Sequence, residues 1–167
     1  MMNNIQIRPA VCGDELILAQ IQTEAWKTAF ANILPTDELE KDTNPQKVID
    51  MYTRVLQQKL PEGYLLFVDG NPHCMAFWGK SRTDLYPESA ELICIHSLQG
   101  NWGKGYGSTM MEFLLEKIKS AGYRQVILWV FEENVRARRF YEKHGFVMTE
   151  HRKNHFGADE VLYQKSL

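Results

Sequence analysis

The sequence has little of what disulfide scaffolds, metal centres and membrane spans are made of. Only three of its 167 residues are cysteines, Cys12, Cys74 and Cys94. Their odd number and wide spacing fit neither a disulfide framework nor a zinc site, and no metal is predicted. No apolar run approaches the ~20 residues that a membrane-spanning helix needs. The N-terminus has no basic segment followed by an apolar core, so we expect no secretory signal and a reduced, cytoplasmic setting.

Neither sign of charge dominates the chain. Lys and Arg total 19 and Asp and Glu total 21, which gives a net charge of −2. A slightly acidic chain has no global electrostatic reason to bind nucleic acid or an anionic membrane. Apolar residues make up 44% of the sequence, an ordinary share for a globular protein. The length and the absence of a linker or repeat predict one domain over residues 1–167.

Apolar periodicity predicts a mixed α/β fold in the order β-α-α-β-β-β, a glycine-rich loop, and then α-β-α-β-β. The first helix is predicted from Asp14 to Phe30, with Asp14 as its cap, and a second begins at Asn44. The three strands between residues 64 and 98 are predicted to form an antiparallel meander. Val126–Phe131 is apolar throughout, which is typical of a strand covered on both faces in a parallel pair.

The glycine-rich loop, Gly103–Ser108, stands between a predicted strand and a predicted helix. Glycines there let the chain turn sharply and bring bare backbone N–H groups close to a ligand. Those donors and the helix dipole attract a phosphate or diphosphate, and Lys104 adds positive charge. The spacing matches neither a P-loop, because Gly105 follows Lys104, nor a dinucleotide fingerprint, because Ser108 stands where a third glycine is needed.

Three blocks in this order resemble the GCN5-related N-acetyltransferase (GNAT) superfamily. Trp102–Gly107 is similar to the family's diphosphate loop, Gln/Arg-x-x-Gly-x-Gly/Ala, with Trp102 in place of Gln or Arg. Residues 90–97 resemble its cofactor-binding strand, and residues 134–146 resemble its Asn-x-x-Ala-x-x-x-Tyr-x-x-x-Gly-Phe segment. Residues 25–35 also resemble the start of many small bacterial members. The similarity therefore covers nearly the whole chain.

The resemblance implies a mostly antiparallel seven-stranded sheet with a splayed central parallel pair. It also implies that acetyl-CoA is the co-substrate and that a primary amine, in a small molecule or at a peptide N-terminus, is the acceptor. Homodimers are common in such families. The predicted coenzyme contacts are the backbone of Ile95 and Ser97, the loop residues Trp102, Gly103, Lys104, Gly105, Tyr106, Gly107 and Ser108, and Asn134, whose type helix capping alone also explains.

The same resemblance suggests the catalytic residues. Tyr141 is the predicted acid for the coenzyme thiolate, since a phenol with an ordinary pKa near 10 is a proton donor at pH 7. Glu91 lies fourteen residues before Gly105, as does a base in the histone-modifying branch, and is predicted to share a strand face with Ile95 and Ser97. The alternative interpretation of Glu91 is a solvated strand residue or a salt-bridge partner. His96 is the rival base because its pKa suits proton relay.

The sequence says less about the pocket that binds the acceptor amine. Trp26, Phe30 and Trp78 are predicted to wall the acceptor pocket, although aromatic residues at such spacing also build cores. Cys94 is read as a small buried apolar residue. Two other functions stay open: an acyl-CoA-binding module without catalysis, which would need neither Glu91 nor Tyr141, and a protein that uses the glycine loop for ATP or NAD.

Overall fold

The computed structural model describes residues 3–167, which form seven strands and five α-helices in this part of the chain. The strands are β1 (Ile5–Pro9), β2 (Glu62–Val68), β3 (Asn71–Lys80), β4 (Ala90–Ser97), β5 (Gln125–Phe131), β6 (Val147–His155) and β7 (Ala158–Ser166). The helices are α1 (Glu15–Ala29), α2 (Thr36–Asp42), α3 (Pro45–Gln58), α4 (Tyr106–Ser120) and α5 (Val135–Lys143).

All seven strands form one sheet in the order β1-β2-β3-β4-β5-β7-β6. Every neighbouring pair is antiparallel except β4 and β5, which are parallel. The parallel pairing covers only Ala90 with Val126 and Glu91 with Ile127. The seven-stranded mixed sheet with a splayed central parallel pair is therefore confirmed.

Helices cover both faces of this sheet. Because side chains alternate along a strand, one strand can contribute to the core on both faces. Cys74, Ala76 and Trp78 of β3 pack into a core with α4 and with Tyr141 of α5. Met75 and Phe77, the alternate residues of the same strand, pack instead against α1 and α3. Leu18, Ile21 and Ala25 of α1 are all buried, which explains why apolar residues recur at helical spacing in this segment.

The N-terminal part differs from the prediction in two respects. A short helix, α2, lies between the two predicted N-terminal helices, where none was predicted, and Leu39 is its only buried residue. A single buried position gives no periodic signal. Asp14 precedes α1, but its side chain makes no capping hydrogen bond, because its carboxylate accepts from Arg8 at 2.7 Å and from the Val11 N–H at 2.9 Å. Asn44 does cap α3, by accepting from the Lys47 N–H.

Candidate active site

The central feature of the site is the gap between β4 and β5. Antiparallel pairing with β3 continues along β4 as far as Ser97, whereas pairing with β5 stops at Glu91. The edge of β4 that faces β5 therefore has no strand partner beyond Glu91. An extended ligand with amide groups can add to such an edge as a further strand.

A β-bulge in β4 changes which side chains share a face. Trp78 pairs with Leu92 and Phe77 pairs with Cys94, so Ile93 is an extra residue. Leu92 and Ile95 consequently pack on the α4 face, while Ile93 and Cys94 pack on the α1 face.

The predicted common face of Glu91, Ile95 and Ser97 is therefore wrong. Alternation from Leu92 puts Glu91 on the α1 face, and alternation from Ile95 puts His96 there too. Ile95 and Ser97 lie on the α4 face, where the Ser97 Oγ is 3.9 Å from the position that a Cβ on Gly107 would take. The bulge thus divides the strand into one face toward the glycine loop and one toward α1.

The glycine loop borders a cavity of about 260 Å³. Gly103 and Gly105 have φ values of +76° and +86°, a backbone region that side chains rarely adopt, and Gly105 is the N-cap of α4. No atom lies within 4 Å of the Cβ that either glycine would carry, so the backbone itself is open to a ligand. The first N–H groups of α4 make no intrahelical bond, which suits this cavity to an anion.

A larger cavity of about 730 Å³ joins the first. Its wall includes Trp26 of α1 and Phe30, which directly follows α1, together with residues of β4, β5, α5, β6, β7 and the β3–β4 connection. Five residues line both cavities, which makes them two halves of one cleft: Ile95, Ser97, Arg136, Ala137 and Tyr141.

Tyr141 lies on α5 at the junction of the two halves. It is 8% exposed, and its hydroxyl makes no hydrogen bond to any residue between 3 and 167. Burial, the largest influence, raises the pKa of Tyr141 well above 10. The phenol therefore stays protonated at neutral pH and is available as a proton donor in the cleft.

Glu91 lines the larger cavity and is 2% exposed. Its carboxylate accepts from the Arg82 Nη2 at 2.7 Å, the Arg82 Nε at 3.2 Å and the Arg82 backbone N–H at 2.9 Å. A carboxylate has about four acceptor sites, so about one remains for a ligand or a water. Pairing with Arg82 also explains how a nearly buried charge is tolerated.

His96 lines the same cavity and is half-buried. Its Nε2 accepts a hydrogen bond from the Trp26 indole N–H at 3.2 Å, so the proton of the neutral ring lies on Nδ1. Desolvation lowers the pKa of His96 to about 4. The imidazole is therefore neutral at pH 7, weakly basic, and engaged at the nitrogen that would otherwise accept a proton.

The structure brings most of the predicted site residues to the cleft and separates three side chains from it. Trp26, Phe30 and Asn134 line the larger half, and Asn134 also caps α5 by accepting from the Ala137 N–H. Trp102, Gly103, Gly105, Gly107 and Ser108 line the smaller half.

Trp78 does not wall the acceptor pocket. It is buried on the α4 face and packs edge-on against Tyr123. Lys104 is exposed outside both cavities, and Tyr106 is buried against His73, with its hydroxyl accepting from Asn3. Lys104 and Tyr106 therefore contribute only backbone atoms to the binding surface of the loop.

Several cleft residues escaped the sequence analysis because nothing in their local pattern marks them. Trp129 belongs to the uniformly apolar β5, and Lys153 lies 4.4 Å above its ring while also pairing with Glu160 at 3.3 Å. Arg82 and Asp84 lie in the connection between β3 and β4. Only the sheet order brings these strands together, because it places β7 next to β5 and β6 next to β7.

Comparison with known proteins identifies this architecture. Residues 24–146 match the Acetyltransferase (GNAT) family. That span covers well over half of the chain, including β4, the glycine loop and α5, so the chain belongs to the GNAT acetyltransferase family.

Individual relatives agree with this assignment. "Probable N-acetyltransferase Rv2775" of Mycobacterium tuberculosis is 26% identical over 145 residues, which is 86% of this chain and 80% of the relative. The PaiA N-acetyltransferase of Thermoplasma acidophilum, solved with coenzyme A, superposes with a TM-score of 0.78 at 21% identity, covering 98% of this chain and 99% of that one. YncA of Salmonella typhimurium, solved with acetyl-CoA, gives 0.73 at 18% identity, with 97% and 93% coverage. These two structures show the shared fold.

No helix within residues 3–167 is long and apolar enough to cross a membrane. In the same range, no three His, Cys, Asp or Glu side chains gather into a group that would hold a metal ion.

Proposed function

We propose that the chain transfers the acetyl group of acetyl-CoA to a primary amine by direct attack in a ternary complex. The position of Tyr141 carries the proposal, because this residue lines both the cavity of the glycine loop and the larger cavity beside α1. A thioester whose diphosphate occupies the smaller half and whose arm pairs with the free edge of β4 would place its sulfur near that hydroxyl. An amine in the larger half would then meet the thioester carbonyl.

The residues at this junction support each step of such a transfer. The amine nitrogen attacks the carbonyl carbon, a backbone N–H of β4 stabilises the resulting oxyanion, and the C–S bond breaks as the carbonyl re-forms. Tyr141 donates its proton to the leaving thiolate. The proton lost by the amine passes to the base and later restores the phenol, so that the reaction yields an amide and a free thiol.

Glu91 is the better supported of the two bases. Its carboxylate keeps about one free acceptor site in the acceptor half of the cleft, whereas Nε2 of His96 already accepts from Trp26 and the pKa of His96 is lowered to about 4. Arg82 acts on Glu91 as a positioning residue, since it holds the carboxylate from the side through two guanidinium nitrogens.

An amine-library screen tests the proposal directly. The full chain is incubated with acetyl-CoA and a mixture of small amines and peptides, while thiol release is followed and products are identified by mass. We expect acetyl transfer to at least one class of primary amine with one thiol released per amide formed. If acetyl-CoA binds but no amine is acetylated, the chain is an acyl-CoA-binding module. If ATP or NAD protects the protein against heating as well as coenzyme A does, the assignment of the glycine loop is wrong.

A further inference from the structure

An arginine is stacked on the tryptophan that precedes the glycine loop. The Arg136 guanidinium carbon lies 3.4 Å from the centre of the Trp102 ring, close enough for a strong cation–π and stacking contact. The Trp102 indole N–H donates to the Ser97 carbonyl at 3.0 Å. The end of β4 thus fixes the indole, and the indole face fixes the guanidinium.

Arg136 differs from Arg138, two residues further along α5, in having its side-chain donors free. The Arg138 guanidinium donates to the Tyr163 hydroxyl and to the Glu132 carbonyl, each at 2.9 Å. Arg136 makes no salt bridge and no side-chain hydrogen bond with any residue in the range 3–167. Because a guanidinium carries five N–H donors, a stacked and unpaired arginine beside a cavity presents several donors to an anion.

Arg136 is also the one arginine that lines both halves of the cleft. On its loop side are the open backbones of Gly103 and Gly105. The cation within the loop, Lys104, lines neither cavity, and Lys143 lines the smaller half without an aromatic platform. An anion held by the loop would therefore lie beside Arg136, with backbone N–H groups on one side and a fixed guanidinium on the other.

We propose that Arg136, held on the Trp102 ring, is a specific phosphate-binding residue that contacts the diphosphate of the coenzyme. The proposal rests on coenzyme A as the ligand of the proposed function. The positive charge beside the loop then comes from Arg136, which is distant from the loop in sequence, and Trp102 is a positioning residue for it. The diphosphate is favoured over the terminal phosphate of the adenosine because Trp102 directly precedes Gly103.

Calorimetric titration of Arg136→Gln with three probes tests this assignment. Loss of charge-assisted bonds is expected to weaken both coenzyme A and 3′-dephospho-coenzyme A by roughly ten- to thirtyfold. Pantetheine, which ends before the diphosphate, should bind both proteins equally. Arg139→Gln, an equal charge change at an exposed residue of the same helix that lines neither cavity, is the matched control and should bind all three probes like the parent.

Two results would overturn the assignment to the diphosphate. One is an Arg136→Gln affinity within twofold of the parent for coenzyme A. The other is a loss for coenzyme A that disappears with the 3′-dephospho compound, which would place Arg136 at the terminal phosphate. Failure of the parent protein to bind coenzyme A at all would instead refute the proposed function. Arg136 is exposed, and a thermal melt confirms that the variant is folded.

The stacked geometry is tested by Trp102→Ala, Trp102→Phe and the double variant with Arg136→Gln. If the two residues act as a unit, Trp102→Ala weakens coenzyme A about as much as Arg136→Gln, and the double variant is no weaker than either. Trp102→Phe keeps a ring but loses the bond to Ser97, so an intermediate loss is expected. Fully additive losses would show that Trp102 does not hold Arg136 in place.

Discussion

The two halves of the cleft are built in different ways. The glycine-loop half is largely backbone: the free edge of β4, two glycines with positive φ, and the first N–H groups of α4, all within residues 92–109. The α1 half is made of side chains from α1, the β3–β4 connection, β4, β5, α5, β6 and β7. A backbone-built site accepts one constant ligand, whereas a side-chain-built site can be changed residue by residue.

The two halves also differ in whether their charged side chains are paired. In the α1 half, Glu91 is paired with Arg82 and Glu160 is paired with Lys153. In the glycine-loop half, Arg136 has no carboxylate partner among the described residues. The loop half is thus electrostatically prepared for an anion, while the α1 half is close to neutral and lined by Trp26, Phe30 and Trp129. Affinity for the coenzyme and selection of the acceptor should therefore respond to different substitutions.

Tyr141→Phe removes the proposed acid, which lines both halves of the cleft, and the largest effect is expected here. Loss of general acid catalysis should lower the rate of the chemical step by roughly 100-fold or more. Affinity for acetyl-CoA should be nearly unchanged, because the ring and its packing remain. Single-turnover kinetics measures the rate and calorimetry the affinity. An unchanged rate when chemistry is limiting would remove Tyr141 from the mechanism.

Glu91→Gln and His96→Ala separate the two bases within the α1 half. If Glu91 is the base, Glu91→Gln lowers the rate by roughly 10- to 100-fold, and the rise of the rate from acid to neutral pH is lost. His96→Ala should keep that rise.

The decisive measurement is the rate–pH profile of each variant, with Arg82→Gln as a check on positioning. If Arg82 only holds Glu91 in place, Arg82→Gln shifts the rate–pH profile, but the rise of the rate from acid to neutral pH remains. A Glu91→Gln enzyme with the parental profile would reduce Glu91 to a buried partner of Arg82.

The difference between the halves also explains which parts could be predicted from sequence. The glycine loop and α5 carry local patterns, so their place in the fold followed from spacing and resemblance. The face of Glu91 could not be obtained by alternation, because the extra residue at Ile93 has no signature of its own. The side chains of Trp129 and Lys153 meet only through sheet order. Trp78 was misplaced because an aromatic residue on β3 fits either face until the core on the α4 side is known.

Gly105→Val tests the backbone-built half alone. A branched side chain at a φ of +86° is strained, and the added atoms would project into open space where the ligand is expected. We expect coenzyme affinity to fall by roughly ten- to thirtyfold. Gly122→Val, at a φ of +94° beyond the other end of α4, imposes similar strain far from the cleft. If both variants lose affinity equally, general destabilisation and not the loop is responsible.

The smallest expected effect concerns the stability of the α1 half in acid. The pKa of His96 is lowered to about 4 by desolvation, while an unfolded histidine titrates near 6.5. The unfolded chain therefore binds more protons than the folded chain between these values, and stability present above pH 6.5 is lost as the pH falls toward 4. Because His96 is half-buried, we expect a loss of ~1–2 kcal/mol, less than the full shift would give.

Urea unfolding of His96→Asn across this range isolates the contribution of the imidazole. The variant should lose less stability than the parent between pH 7 and pH 4.5, since asparagine does not titrate and can still accept from Trp26. His151→Asn, at a residue that lines neither cavity, removes one histidine without touching the cleft and is the matched control. Equal slopes for the parent and His96→Asn would mean that His96 gains a proton in the folded cleft as readily as in the unfolded chain. Burial would then not keep the His96 ring neutral, and His96 would be as well supported a base as Glu91.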